Sequence, residues 1–294
     1  MNTKTHLEKY TYYYLILAMV CWGISWPTSK ILTVYTDTFT LLFLKFFISA
    51  VSMIPVLFFL KEKRFFNIKI VKPLIYATIF IMIYNVFFFI GLKYGYSGLG
   101  GVLVTGSNPI FTFLIVAFLE KVRIPNIQKI ALILGIIGTV ITMDIIGLKA
   151  SELLSGGNLL FLIASLMWSL VTIKSVEAKP YVNSLIFTLY LYISSSFVSF
   201  IFFVPVENIY AIFDYDYIFW INLIFTTAIT SGFATTFYFV ASNIIGASKA
   251  SSFIFLVPVV ALLSSAILMG EIPKLTTIIG GSILIIAVWL INKK

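Results

Sequence analysis

Charge, cysteine and histidine are all scarce here. The 294 residues hold one cysteine and one histidine, and only 11% are charged. Cys21 alone excludes an internal disulfide and any CxxC metal or redox pair. His6, in the polar N-terminal tail, leaves no histidine for a zinc motif or a serine–histidine pair at membrane depth. An aspartate pair is missing too, because Asp144 and Asp216 stand at the ends of apolar runs. The chain therefore lacks the parts of a membrane-embedded enzyme, and no metal or cofactor is expected.

What is present is apolar. With 61% hydrophobic residues and a mean hydropathy of +1.07, there is too little polar surface to face water. A bilayer core of ~30 Å needs ~20 mostly apolar residues per helix, and ten such runs can be marked: Thr11 to Leu32, Thr38 to Leu60, Ile70 to Leu92, Ser97 to Leu119, Asn126 to Ile146, Asn158 to Lys174, Tyr181 to Val206, Asp216 to Ala241, Ala247 to Met269 and Lys274 to Ile291. A membrane β-barrel would alternate apolar and polar residues, whereas Ile79 to Ile90 and Phe253 to Leu268 are almost continuously apolar. The spans are read as helices. No small-residue cleavage site follows Trp26-Pro27, so the first run is kept as a helix rather than a signal peptide.

The sequence repeats itself at about half its length. Ala18-Met19-Val20-Cys21-Trp22-Gly23-Ile24-Ser25 returns as Ala164-Ser165-Leu166-Met167-Trp168-Ser169-Leu170-Val171. The fourth run of each half carries a proline, in Asn108-Pro109-Ile110-Phe111 and Val257-Pro258-Val259-Val260. Weak internal symmetry in an apolar chain points to a transporter, with repeats over 1–148 and 149–294. Five helices per repeat is odd, so the second copy enters the membrane from the opposite side. The expected fold is all-α and integral to the membrane, with ten transmembrane helices in two inverted five-helix repeats. Exchanging the conformations of the halves would then give alternating access.

Basic residues set the orientation. With the N-terminus in the cytoplasm, all but five of the Lys and Arg residues fall in inside segments; the exceptions are Lys30, Lys93, Lys149 and Lys274 outside and Lys45 within the second run. The positive-inside rule places both termini in the cytoplasm. The net charge of +9 is absorbed by loops facing anionic lipid headgroups, and no nucleic-acid partner is implied.

These residues resemble the ten-helix, EamA-type drug/metabolite transporter superfamily over nearly the whole chain. The resemblance rests on Trp22-Gly23 in the first helix, Asn108-Pro109 and Pro258 in the fourth and ninth, Gly270-Glu271 before the tenth, and Gly135, Gly138, Gly280 and Gly281 in the fifth and tenth. Three positions depart from the family pattern: Lys45 replaces a frequent arginine, Glu120 lacks the preceding glycine, and Trp168-Ser169 replaces Trp-Gly. Membership implies an inner-membrane carrier, often an exporter of amino acids or other small metabolites. Proton-coupled small multidrug carriers use a glutamate in helix 1, and this chain has no acid between Thr11 and Leu32. Facilitated exchange or uniport of neutral or zwitterionic metabolites is the expectation.

Candidate substrate contacts are the polar and aromatic residues at mid-span. Trp22 and Trp26, four apart, share a helix face beside Ser25 and Ser29, and Trp168, Ser169 and Thr172 repeat that pattern. Trp22 is too deep for the interfacial aromatic belt, although Trp26 could be an anchor. Tyr84 and Asn85 in the third run, Asn108 in the fourth and Tyr238 in the eighth complete the set, with Thr235 and Thr236 as weaker candidates that could bond their own backbone. Pro109 and Pro258 are read as helix kinks near a midplane site, the competing reading being packing kinks tolerated in lipid. Lys45 is a functional candidate because a cation inside a span is costly, unless its stem snorkels to the interface. Glu120 and Glu271 are read as turn residues before Pro125 and Pro273. A structural or receptor-like membrane protein is the alternative, but it predicts neither the repeats nor the matched prolines.

Overall fold

The computed structural model describes residues 3–59, 67–94, 97–121, 125–142, 158–269 and 275–292. Every regular element among them is helical. The first repeat contributes α1 (Thr3–Tyr35), α2 (Thr38–Phe59), a 3₁₀ turn (Ile68–Ile70) leading into α3 (Val71–Tyr94), α4 (Ser97–Glu120) and α5 (Asn126–Thr142). The second contributes α6 (Asn158–Ala178), α7 (Ser184–Phe202), a short α8 (Val206–Ala211), and an eighth span of α9 (Tyr217–Ile224), a π-helical stretch (Phe225–Thr235) and α10 (Thr236–Ile245). The ninth span is α11 (Ala247–Ser252), a 3₁₀ turn (Phe253–Leu256) and α12 (Val257–Met269), and the tenth is α13 (Leu275–Asn292). Seven stretches are long and apolar enough to cross a membrane, and the fifth, ninth and tenth runs form shorter apolar helices. The chain is an all-α, multi-pass membrane protein.

Where the helices begin and end follows from local chemistry. Asp37 accepts from the backbone N–H of Phe39 at 2.8 Å and of Thr40 at 3.1 Å, capping α2. Asn183, its counterpart in the second repeat, accepts from Ile186 N–H at 2.8 Å and caps α7. Asn67 caps the 3₁₀ turn before α3, and Asp216 caps α9 at the matching place. Side-chain oxygens at these positions satisfy N–H groups that a helix start leaves unpaired. The sixth run continues past Lys174 to Ala178, with Lys174 and Glu177 paired one turn apart. The seventh is shorter than its apolar run at both ends, because Asn183 caps its start and Phe203 follows its last turn. Gly246, at φ 89°, separates the eighth and ninth spans in a conformation that side chains disfavour. Expected residues 143–146 of the fifth run and the Gly270-Glu271 turn lie outside the described residues.

Packing carries the repeat into three dimensions. The first helix of each half is embedded mainly in the other: α1 lies against the eighth and ninth spans, and α6 lies against α3 and α4. Between them, α2 packs on α7 and α5 on α13. Each of these relations maps onto itself or its partner when the repeats are exchanged, as a pseudo-two-fold arrangement requires.

Gly23 and Ser169 show why the two copies differ at equivalent positions. A Cβ on Gly23 would come within 2.5 Å of Val260 Cβ and 3.0 Å of the Ala261 backbone nitrogen, so α1 approaches α12 closely only through glycine. Ser169 faces α4 instead, where Asn108 offers a hydrogen-bonding partner. The hydroxyl replaces close apposition with a polar contact.

Candidate functional site

A cavity of about 60 Å³ lies where α1, α2, α3, α4, α6, α7 and the eighth and ninth spans meet. Of the sequence candidates, Trp22, Ser25, Trp26, Lys45, Tyr84, Asn85, Asn108 and Trp168 line it, as does the weaker candidate Thr235 but not Thr236. Ser169, Thr172 and Tyr238 stand behind the wall.

Lys45 projects from α2 toward α3. Its Nζ donates to Asn85 Oδ1 at 2.8 Å and lies 5.4 and 5.5 Å from the ring centres of Phe88 and Phe89. Asn85 Nδ2 donates to the Ile81 carbonyl at 2.8 Å, which fixes the amide with its oxygen toward the ammonium. On the other side, Asn108 Nδ2 donates to Ser165 O at 3.0 Å and to Ser169 Oγ at 2.8 Å. Ser165 Oγ donates to Val104 O at 2.9 Å. These bonds tie α4 to α6 and leave Asn108 Oδ1 buried without a hydrogen-bond partner.

The wall is aromatic. The repeat-equivalent Trp22 and Trp168 meet edge to face, their centres 5.1 Å apart and their planes at 85°. Tyr84 closes on Trp168 at 4.9 Å and Tyr238 on Trp22 at 5.0 Å. Trp26 packs on Phe88 at 5.0 Å and Phe161 at 6.2 Å, inside the bundle rather than in an interfacial belt. Behind them, Thr172 donates to Tyr238 Oη at 3.1 Å and steadies the ring.

The two prolines act differently. Pro109 lies within continuous α4 and has no N–H for the carbonyl of Thr105, a cavity residue. Pro258 stands in the first turn of α12, where the carbonyl it cannot reach, that of Ile254, accepts instead from Val257 N–H through the 3₁₀ turn. Local tightening of this kind re-satisfies backbone freed by proline in lipid.

Sequence reasoning missed Tyr192, whose Oη donates to Ser231 O at 2.8 Å, and the cavity hydroxyls Thr226, Thr230 and Ser231. The closely spaced threonines and serines of an otherwise apolar run were the available signal. Their side chains support a wider helix: Ser231 Oγ donates to Thr226 O at 3.0 Å and Thr235 Oγ1 to Thr230 O at 3.4 Å, each five residues back. π-helical turns are frequent at functional sites.

The two ends of the bundle differ. At the Asp37 end, Tyr35 Oη donates to Asp216 at 2.8 Å and Asn208 Nδ2 to Asp37 at 2.8 Å, bridging the repeats. Burial raises the pKa of the Asp37 carboxyl, but hydrogen bonds from Thr40, Asn208 and Phe39 outweigh it and hold it below its ordinary value. The bond from the backbone N–H of Phe219, and then that from Tyr35, do the same for Asp216. At the opposite end a vestibule of about 490 Å³ opens among Phe113, Glu120, Gln128, Glu177 and Lys249. Lys30 caps a carbonyl of Leu92 and Lys179 one of Asn243, matching contacts at the two ends.

A ten-helix membrane protein with repeats that embrace one another, discontinuous helices and an aromatic cavity holding a few polar groups where the repeats meet belongs to the class of membrane transporters. The chain is a member of the EamA-like transporter family, whose model matches residues 9–143 and again 155–293. It is 27% identical, over 83% of its length and 81% of the relative's, to the "Uncharacterized transporter YyaM" of Bacillus subtilis (strain 168). A solved crystal structure that is 16% identical superposes with a TM-score of 0.71, covering 96% of this chain and 97% of the other. The last likeness concerns the fold alone.

Proposed function

We propose that the protein moves small carboxylate-bearing metabolites with an apolar body, amino acids and related compounds, by alternating access, as an exporter across the inner (cytoplasmic) membrane. The observation that carries this reading is the ammonium of Lys45, held by a neutral amide inside an aromatic cavity. A cation placed there is expensive unless it serves a ligand. The residues gathered around it, Trp22, Ser25, Trp26, Tyr84, Asn85, Asn108 and Trp168, provide ring faces and hydrogen bonds to the solute, with Ser169, Thr172 and Tyr238 bracing them. The repeats, divided at 148/149, alternate in closing the Asp37 end and the Lys249 end. Counterflow uptake in proteoliposomes, screened against a metabolite panel, tests the reading. Failure with every pool, while the protein stays folded, would favour the structural or receptor-like alternative.

Trp22→Ala should lower counterflow severalfold with little loss of folded protein, because the ring faces the cavity and meets only Trp168 and Tyr238 among the rings described for it. Unchanged transport would remove Trp22 from the site. The orientation, with both termini cytoplasmic, is tested in a Cys21-free background. Cysteines near Asn67 should be protected from an impermeant thiol reagent added outside cells, and cysteines near Gly147 labelled. The reverse pattern would overturn the charge argument.

A further inference from the structure

Acids are excluded from the cavity as consistently as the one base is included. No carboxylate stands among its lining residues. The described acids lie at or near helix ends and in connections: Glu8 near the start of α1, Asp37 and Asp216 as caps, Glu120 and Glu177 in last turns, Glu207 and Asp214 around α8. Lys45 therefore has neutral company, the Asn85 oxygen and two phenylalanine rings. Asn108 Oδ1 is the complementary group: its residue is 1% exposed and this oxygen has no partner.

We propose that the cavity selects monoanions, solutes carrying a carboxylate and an apolar body but no ammonium, such as 2-hydroxy acids, over the zwitterionic amino acids of the same skeleton. This rests on the transport reading above and narrows its carboxylate class, ranking amino acids below their hydroxy analogues and departing from the neutral or zwitterionic solutes the sequence suggests. A carboxylate at Lys45 makes the loaded cavity neutral, so it can dehydrate as it closes. An ammonium on the same solute adds a second cation where no acid compensates it. It would exchange three hydration partners for one amide oxygen and ring faces, while Lys45 repels it. A hydroxyl asks for one acceptor, which Asn108 supplies.

Purified protein in liposomes should be assayed by counterflow with two matched triplets: phenyllactate, phenylalanine and phenylethylamine, then 2-hydroxyisocaproate, leucine and isoamylamine. The buffer is held well above the pKa of the hydroxy acids, with protein-free liposomes as the leak control. Binding of the same solutes is read in parallel by quenching of tryptophan fluorescence. The expected result is a preference of at least about tenfold for the hydroxy acid over the amino acid, no counterflow of the amine, and loss of the preference in Lys45→Gln. Equal or faster counterflow of the amino acid would overturn the proposal and leave the transport reading standing. Tight binding of the hydroxy acid without counterflow would uphold the selectivity and overturn transport. Neither binding nor counterflow in any of the six would overturn both.

Discussion

Lys45→Gln is expected to cut transport of carboxylate-bearing solutes by about ten- to hundredfold, since a hydrogen bond to a charged group contributes roughly 1.5–3 kcal/mol. Neutral solutes of the same shape should be nearly unaffected. Glutamine keeps most of the stem and an amide that can still meet Asn85, while the cost of holding an ammonium beside Phe88 and Phe89 disappears. Folded protein should therefore be retained or increased. Initial rates for a carboxylate and its amide analogue, normalised to folded protein, make the comparison. Equal losses for both would mean that Lys45 shapes the cavity without contacting the solute.

Gly23→Ala should produce a large structural effect for a single added methyl group. The new Cβ would lie 2.5 Å from Val260 Cβ and 3.0 Å from backbone nitrogen of Ala261. Neither is the free end of a side chain, so α1 and α12 must separate. Overpacking of this kind costs roughly 1–3 kcal/mol, occasionally more, and it falls on the contact between the first helix of one repeat and the ninth span. Yield of monodisperse protein and thermal stability in detergent should fall together, and Val260→Gly in the same chain should restore part of both. Ser169→Gly is the informative counterpart. It removes hydrogen bonds from α6 to α4 rather than inserting a clash, so its loss should be nearer 1 kcal/mol. A Gly23→Ala protein as stable as the parent would show that these helices are not in close contact.

Much of the architecture was legible because lipid is a demanding solvent. Every backbone group must be satisfied within its own helix, so the ten apolar runs predict the observed spans to within a few residues at most boundaries. The doubled Trp22 and Trp168 motif, with its matched prolines, was enough to read two repeats. The caps Asp37 and Asn183 were overlooked, although both stand in the pattern Tyr-x-[Asp/Asn]-[Thr/Ser] at equivalent places.

The interior of the eighth span was not legible. Its closely spaced threonines and serines set the run apart without giving its pitch, and residues 225–235 form a π-helix supported by hydroxyl bonds five residues back. Tyr192 was missed although Thr188, Ser195 and Ser199 fall at helical spacing with it and are buried on the same face of α7. The sequence by itself determined the class of protein, the helices, their doubling and the placement of one base and no acids deep within the spans, because burial in hydrocarbon acts on each segment separately. Only the tertiary structure decided that Trp22 meets Trp168, that Lys45 turns to Asn85, and that Ser169, Thr172 and Tyr238 stand one layer back. Those contacts depend on the rotation of each helix about its axis, set by how α1 and α6 cross into opposite repeats, and residues far apart in sequence share that information.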